Sequence, residues 1–441
     1  MAAVVPCLSV VACGGDDTDN VIDGGGVDVT AQDRGSGNDV TQGDRSIDAT
    51  GVSDASANDA ALDTTLGNDS ATGDASDSSS GKDSGSDTVI DSASSTGNDS
   101  GVDAGMDSAA DDAADAGPDG SVVTPPSCAP GGAGMTNCGG GGDGGGSESC
   151  CTSPSVAGGT YYRTYANSGS GPTSEADPAT VSGFRLDKYL VTVGRFRQFV
   201  TAWNGGSGYT PPAGSGKHTH LNGGRGLENS GSAGTYETGW LTSDNGNIAP
   251  TNANLSGGSS GYQTWTNNPG SQETLPINYV NWFEAYAFCI WDGGFLPSEA
   301  EWEYVAAGGS EQREYPWGST APGTACPGTG CQYAIYGGYY PNGSGICSSV
   351  SVVAPVGTAT LGAALWGQLD MAGEMWEWNV DVYAFYRNPC ADCAYLTVAS
   401  SRMTRGGGAC NTASYLLPWS RGIGTPTDRQ GGQGFRCART P

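Results

Sequence analysis

The sequence predicts an irregular, loop-rich α+β domain that follows a disordered N-terminal tether. Residues 1–127 contain no Phe, Trp, Tyr or Glu, so this part of the chain lacks the large side chains from which a core is built. Beyond it, capping residues mark three short helices, and segments with strand-like alternation lie near them. Long stretches rich in Gly, Ser, Asn and Thr separate these elements, which indicates many surface loops.

Residues 16–127 form the predicted tether. The first 127 residues carry 25 Asp against Arg34, Arg45 and Lys82, so they account for −22 of the net charge of −29. Such a segment cannot bury enough apolar surface to offset the entropy lost on ordering. We therefore expect it to be disordered, and nothing in it indicates nucleic-acid binding.

Residues 1–15 look like an export signal. A short apolar run ends in Val-Val-Ala-Cys13, the pattern of a bacterial lipoprotein signal. On this interpretation Cys13 is lipidated and the chain meets the membrane only through its lipid anchor. The alternative is an ordinary secretory signal. Both interpretations predict an exported protein, and the first places it in the cell envelope as a periplasmic or outer-membrane lipoprotein.

The cysteine content agrees with export. Apart from Cys7 and Cys13, the remaining 12 of the 14 cysteines lie between Cys128 and Cys437. An even number suits disulfides formed in an oxidising compartment, although spacing alone leaves their pairing open.

The folded part begins after a short collar. Residues 128–155 are rich in Gly and Cys, and we expect them to form a small disulfide-stapled segment before the domain at 156–441. Within that domain, residues 184–191 alternate as a strand does. Thr192 then caps a helix that places its large apolar residues on one face, as far as Trp203.

Two further helices have clear start signals. Asn281 caps the segment 282–291, and Ser298-Glu-Ala-Glu301 is a capping box that starts a helix ending at Ala307. Residues 204–275 are dominated by small polar residues and are expected to be surface loops.

A Trp-rich run, residues 367–383, follows no helical or strand-like period. It places two Trp, a Tyr and four carboxylates around Gly373. One interpretation is that Trp376 and Trp378 anchor a core. The other adds that Asp370, the backbone near Gly373 and Glu377 supply oxygen ligands to a Ca²⁺ ion.

Six ordered motifs resemble the formylglycine-generating enzyme (sulfatase-modifying factor) family. The resemblance covers about residues 156–441, and it implies an irregular α+β fold related to C-type lectins. The motifs are Pro276 to Trp291, Leu296 to Tyr304, Tyr315-Pro-Trp-Gly318, Asp370 to Trp378, Arg405-Gly-Gly407 and Gly434-Phe-Arg-Cys437.

The family's enzymes oxidise a substrate cysteine to formylglycine with O₂ and a copper ion held by two cysteines, since thiolates suit Cu(I). That pair lies between the Arg-Gly-Gly motif and the next Arg-containing turn. Here the interval from Arg405 to Arg421 contains a single cysteine, Cys410. A copper site is therefore disfavoured. Cys410 is the one catalytic candidate, but it is predicted to be a disulfide partner or a free thiol rather than a metal ligand.

The resemblance implies two structural features. Cys289 and Cys437 correspond to a family disulfide that joins the second predicted helix to the C-terminal segment. The family's Ca²⁺ ligand set falls on four residues in the Trp-rich run, where Glu374 replaces an expected Asn. Those four residues are Asp370, Gly373, Met375 and Glu377.

Two other groups could carry chemistry. His218 and His220 are the only histidines, and on an extended segment both would face one side, either as half of a metal site or ligand contact, or as part of a solvated loop. Cys390-Ala-Asp-Cys393 could be a redox or half-zinc motif, but without a second pair a local disulfide is favoured.

Two functions remain compatible with these features. The first is an exported, tethered binding or scaffold module that takes a protein or glycan ligand. The second is an O₂-dependent oxidoreductase that acts on a Cys-containing protein substrate. The missing cysteine pair favours the first.

Overall fold

The computed structural model describes residues 124–129, 138, 148–257 and 261–441. The predicted export signal with Cys13 and nearly all of the tether lie outside these residues. Within the described part of the chain, no helix is both long and apolar enough to cross a membrane.

The described chain contains twelve short strands and five α-helices, besides short 3-10 helices, in an irregular α+β arrangement. The strands are β1 (Ser155–Val156), β2 (Gly159–Asn167), β3 (Pro172–Val181), β4 (Phe184–Leu186), β5 (Glu228–Asn229), β6 (Trp376–Val382), β7 (Cys390–Ala391), β8 (Cys393–Ala394), β9 (Arg402–Arg405), β10 (Arg421–Gly424), β11 (Gln433–Gly434) and β12 (Ala438–Arg439). The helices are α1 (Val193–Trp203), α2 (Asn252–Leu255), α3 (Trp282–Trp291), α4 (Glu299–Ala306) and α5 (Thr329–Tyr333).

The strands form small sheets, and the largest of them positions the candidate site. Its order is β10-β9-β6-β11, with β6 antiparallel to β9 and parallel to β11. The other sheets have the orders β1-β4-β12, β2-β3-β7 and β5-β8. Every sheet pairs strands that are far apart in the sequence, so long connecting segments must bring these strands together.

The three predicted helices are confirmed, and each begins at its predicted cap. The side chains of Thr192, Asn281 and Ser298 accept hydrogen bonds from the backbone three residues on. Asn281 and Ser298 form complete capping boxes, with Glu284 and Glu301 bonding back to the cap. These caps satisfy N–H groups that have no partner within the helix.

The strand predicted at 184–191 is shorter than expected, since β4 ends at Leu186. Beyond it, the carboxylate of Asp187 is fully buried and accepts hydrogen bonds from Arg195 at 3.0 Å and from Arg439 at 3.1 Å. The backbone N–H groups of Asp187 and Lys188 still bond the Cys437 and Thr152 carbonyls, so the chain leaves the regular strand without losing these partners.

The expectation that residues 204–275 are only surface loops is wrong. This stretch contains β5 and α2, and several of its large side chains belong to the main core. The apolar faces of α1 and α3 need covering, and these chain segments cover them. The buried members are Leu221, Leu227, Trp240, Ile248, Leu255 and Trp265.

The Trp-rich run does contain a strand, contrary to the sequence interpretation. β6 is flanked by β9 and β11, and all of its residues except Trp376 are buried. A strand buried on both faces shows no alternation of polar and apolar residues, which explains why its period was not visible.

The collar is fastened to the domain from residue 127 onward. Ser127 is fully buried, donates its backbone N–H to Asp292 at 2.9 Å, and accepts a hydrogen bond from Arg195 Nε at 3.0 Å. Disulfides join Cys128 to Cys151 and Cys138 to Cys150. Contacts with the domain therefore include Ser127, one residue before the expected start of the collar at Cys128.

Candidate functional site

The candidate site is the loop 406–420, which joins the antiparallel strands β9 and β10. Arg405 and Arg421 lie directly opposite each other at its two ends. Glu299, from the first turn of α4, accepts from Arg405 Nε at 3.0 Å and from Arg421 Nε at 2.7 Å. One buried carboxylate thus holds both ends of the loop together.

Further buried groups complete this charge network. The other carboxylate on the same side of α4, Glu303, accepts from Arg405 at 2.7 Å and from the Tyr386 hydroxyl at 3.1 Å. Burial opposes ionisation of Glu299, but the nearby arginines outweigh it and lower its pKa. Burial raises the pKa of Glu303 to about 7, because Arg405 offsets it only in part. The network therefore contains one firmly charged acid and one that titrates near neutrality.

A cavity of about 10 Å³ lies beside this network, lined in part by Arg163, Asp381 and Tyr386. That volume is about the room needed for one water molecule. The contacts of Glu299 with Arg405 and Arg421 join the two ends of the loop, and this cavity beside them is small.

Inside the loop, Asn411 organises the neighbouring groups. Its side-chain oxygen accepts from the Gly408 backbone and from Trp376 Nε1, both at 2.8 Å. Trp376 also meets Tyr415 edge-on, with ring centroids 5.7 Å apart. At Gly407 the backbone is left-handed, with φ of 73°, and an added Cβ would lie 2.9 Å from the Tyr415 carbonyl oxygen. Glycine is required there because the loop doubles back on itself.

Cys410, the one cysteine of the loop, is paired. It forms a disulfide with Cys347, with Cα atoms 5.6 Å apart. Of the two roles predicted for Cys410, the structure shows the disulfide partner. All 12 cysteines from 128 to 437 are joined in pairs, namely 128–151, 138–150, 289–437, 326–331, 347–410 and 390–393.

The disulfides include two that concern the sequence predictions. Cys289 of α3 and Cys437 are joined, with Cα atoms 5.4 Å apart. Cys390 and Cys393 form a local disulfide between β7 and β8, both buried.

The predicted calcium ligands lie together, but one of them already has a partner. Both carboxylate oxygens of Glu377 accept from Arg436, at 2.7 and 2.9 Å. Arg436 also donates to the Asp370 carbonyl at 3.0 Å. The Gly373 backbone is left-handed and its N–H bonds the Gly406 carbonyl at 2.7 Å, while the Met375 N–H bonds the Gly373 carbonyl at 2.8 Å. Glu377 would have to share its oxygens between Arg436 and an ion.

Glu374, which the sequence comparison marked as a departure from the family, has an unsatisfied oxygen. Its Oε1 accepts from the Ala354 backbone at 2.8 Å, whereas Oε2 is buried with no hydrogen-bond partner among the described residues. Burial, with the charge of Asp370 nearby, raises the pKa of Glu374 well above its usual value. Burial likewise raises the pKa of Asp370 to about 6. These two acids form an environment in which a cation would be stabilised.

No group of three or more His, Cys, Asp or Glu side chains in the described part of the chain is arranged to hold a metal. An ion at this place would therefore depend on backbone carbonyl oxygens as well, as Ca²⁺ sites commonly do.

The interpretation of the histidine pair as part of a solvated loop is wrong for His218, whereas a contact of the pair with a metal or ligand stays a prediction. His218 is fully buried, with Nδ1 3.1 Å from Glu237 and Nε2 3.1 Å from Glu301. Burial opposes its charge, but the two carboxylates outweigh it and raise the pKa of His218 to about 10. Each ring nitrogen of His218 thus faces a carboxylate, an arrangement that favours the charged imidazolium. Burial lowers the pKa of His220, which stacks on Phe295.

Two of these site features were missed from the sequence, and the burial of a third was not foreseen. Cys347 as partner of Cys410 had no signal, since cysteine spacing does not determine pairing. Glu299 could have been suspected from its position in the first turn of α4. Glu374 was noted as a departure from the family motif, but its burial could not be foreseen.

This protein is a disulfide-rich, irregular α+β domain. A buried Trp-rich strand lies beside an Arg-Gly-Gly loop, and these features define its structural class. The profile of the family described as "Sulfatase-modifying factor enzyme 1-like domain" matches residues 147–441. The chain belongs to this family.

The matches to individual relatives cover less of the chain than the family profile does. The chain is 30% identical over 212 residues to the formylglycine-generating enzyme of Streptomyces coelicolor, covering 43% of this chain and 65% of that protein. It is 32% identical over 174 residues to the inactive Cα-formylglycine-generating enzyme 2 of Bos taurus, covering 38% of this chain and 53% of that protein. The chain thus spans less than two thirds of either relative. Among solved structures, PvdO from Pseudomonas aeruginosa is similar at 19% identity and a TM-score of 0.41, over 65% of this chain and 93% of that one.

Proposed function

We propose that this protein is a binding or scaffold module of the sulfatase-modifying factor family, with a protein or glycan ligand. The observation that carries the proposal is the disulfide of Cys410 with Cys347. Copper chemistry in the family's enzymes depends on two thiolates, and the loop from Arg405 to Arg421 offers no second cysteine. The chain has similar sequence identity to a relative named as an enzyme and to a relative named as inactive. Overall identity therefore does not distinguish the two functions, and the residues of the site must do so.

One observation favours the alternative of an oxidoreductase. Reduction of the disulfide would expose two thiols on Cys347 and Cys410, whose Cα atoms are 5.6 Å apart. Such a pair could bind Cu(I) although its sequence spacing differs from that expected. The two functions therefore predict different results once the Cys347–Cys410 disulfide is reduced. Only the oxidoreductase would then bind Cu(I) and convert its substrate.

The experiment incubates the full chain with Cu(I), O₂ and a Cys-containing sulfatase peptide, before and after mild reduction, and follows formylglycine by mass spectrometry. We expect no conversion in either case, alongside full conversion by a family enzyme that has the cysteine pair. The variant Cys347→Ser, which leaves Cys410 as a lone thiol, is the matched control. Conversion by reduced wild type but not by Cys347→Ser would establish the oxidoreductase instead.

We further infer a Ca²⁺ ion at Asp370, with Gly373, Met375 and Glu377 as the predicted ligands. The unsatisfied oxygen of Glu374 and the raised pKa of Asp370 support a cation at this place. Export remains part of the proposal, supported by the number of disulfides. Lipidation at Cys13 also remains part of it, supported by the Val-Val-Ala-Cys13 pattern.

A further inference from the structure

A surface pocket lies at the tip of the β2–β3 hairpin, away from the loop 406–420. Its two walls are the hairpin tip, residues 167–171, and the segment 311–319 that follows α4. The pocket has a volume of about 330 Å³. Sites for small ligands start at about 300 Å³, so the pocket can take a group the size of an amino-acid side chain.

The hairpin wall is fixed by hydrogen bonds to the opposite segment. Asn167 donates its side-chain N–H to the Gln312 carbonyl at 2.7 Å, and its side-chain oxygen accepts from the Gly169 backbone at 2.9 Å. The hydroxyl of Tyr165 donates to the Arg313 carbonyl at 2.7 Å. The hairpin tip is therefore held at a fixed distance from the residues that face it.

The other wall contains the Tyr315-Pro-Trp-Gly318 motif. Tyr315 and Gly318 exchange two backbone hydrogen bonds of 2.9 Å, which close a tight turn. The rings of Tyr315 and Trp317 stack in parallel, with centroids 5.0 Å apart and planes 3° apart. The indole N–H of Trp317 bonds the Thr320 carbonyl at 2.8 Å. The turn, this stacking and a tilted contact with the ring of Tyr333, with centroids 5.6 Å apart, orient Trp317.

The space between the walls depends on Gly169. A Cβ at this position would lie 3.1 Å from the Ser319 Cβ and 3.4 Å from Glu314 Oε2. Any side chain there would occupy the space beside Glu314. The left-handed backbone of Gly169, with φ of 87°, also disfavours other residues.

The charges of the pocket favour a cation. Arg313 donates to Glu311 at 2.6 Å and to the Pro316 carbonyl at 3.0 Å, so its positive charge is neutralised locally. Glu314 has neither a hydrogen bond nor an ion pair with any described residue, which leaves one uncompensated carboxylate in the pocket. The indole of Trp317 also lines it, and aromatic rings attract cations.

We propose that this pocket binds a lysine or arginine side chain of a protein partner, with Glu314 as its counter-charge. The inference deepens the proposed binding role and rests on it. A free amine would satisfy the same carboxylate, and the experiment separates the two sources.

The test titrates the full chain with N-acetyl-lysine methylamide by calorimetry at low salt. We expect binding that weakens with added salt, and much weaker binding of the norleucine analogue, which lacks the charge. Because an exposed ion pair contributes up to about 1 kcal/mol, Glu314→Gln should weaken lysine binding about fivefold. Ser319→Leu and Gly169→Val should weaken it further by filling the pocket.

Glu175→Gln is the matched control, since Glu175 is an exposed carboxylate on β3 outside the pocket. It should leave lysine binding unchanged, although the acidic N-terminal part attracts cations in every variant. Unchanged melting temperatures would show that the variants are folded. Equal losses in Glu175→Gln and Glu314→Gln, equal binding of norleucine, or binding of putrescine in place of the blocked lysine would overturn the proposal. The formylglycine assay is independent of this titration, so either can fail alone.

Discussion

Cys410 is joined to Cys347 across 63 residues of sequence, so the only sulfur in the Arg405–Arg421 loop is part of a disulfide. This relationship predicts that Cys410 is protected from alkylation in the unreduced, denatured protein. Peptide mapping should recover the Cys347 and Cys410 peptides as one linked species. Recovery of alkylated Cys410 from unreduced protein would contradict the pairing and reopen the possibility of a reactive thiol.

The disulfide between Cys289 and Cys437 should contribute more to stability than the disulfide between Cys326 and Cys331. Cys289 and Cys437 are 148 residues apart, whereas Cys326 and Cys331 are 5 apart. In the chain-entropy model a loop of the first size contributes about 5 kcal/mol and one of the second about 2 kcal/mol. Denaturant unfolding should show Cys437→Ser losing more stability than Cys331→Ser. Equal losses would contradict this account.

Local signals made the helices predictable. Asn281 with Glu284 and Ser298 with Glu301 are capping boxes that span only three residues, so the sequence displays both partners together. The sharp change of composition after residue 127 made the start of the folded part predictable. The fold class followed from the capped helices and from the six motifs that resemble the family.

The site depended on contacts that no local pattern displays. Glu299 lies 106 residues from Arg405 and 122 from Arg421, and the three meet only after the sheet has formed. The burial of Glu374 and the two carboxylates around His218 are likewise consequences of tertiary packing, which overrides the polar character of those segments.

The N-terminal boundary gives a third prediction. Removing residues 1–123 should leave the melting temperature unchanged, while extending the deletion through Ser127 should lower it. The longer deletion removes a donor to Asp292 and an acceptor for Arg195, both in a buried ion network. Leaving a buried polar group unpaired costs about 1–3 kcal/mol. The point variant Ser127→Ala, which loses only the hydroxyl, should show a smaller loss by calorimetry.

His218 gives a prediction for pH dependence. Its pKa in the folded protein is about 10, against an ordinary value of 6.5. The folded state therefore holds a proton that the unfolded state releases, and this stabilisation is fully present below pH 6.5 and is lost as pH rises through about 10. Between these limits the loss is about 1.4 kcal/mol per pH unit. Urea unfolding at several pH values should show this slope in wild type and its absence in His218→Gln.

His220→Gln is the control for that experiment, because the pKa of His220 is lowered, not raised. Its pH profile should follow that of wild type. Parallel profiles for wild type and His218→Gln would show that His218 is not charged in the folded protein.

The last prediction concerns the proposed calcium ion. Chelator should lower the melting temperature of wild type, because an ion bound only by the folded state stabilises it by mass action, by about 2.7 kcal/mol at a hundredfold excess over Kd. The double variant Asp370→Ala, Glu377→Ala should show no effect of chelator. Differential scanning calorimetry with and without chelator measures both.

The variant Glu374→Gln distinguishes between two explanations of this site, namely a bound calcium ion and a pair of acids, Glu374 and Asp370, that share a proton. Without an ion, the buried oxygen of Glu374 is unsatisfied and lies near Asp370, so replacing it with an amide should raise the melting temperature in chelator. With calcium present, the same change removes negative charge from the ion's surroundings and should reduce the stabilisation that calcium provides. If chelator leaves wild type unchanged while Glu374→Gln is more stable in every buffer, the two acids share a proton in the native protein and the calcium proposal is wrong.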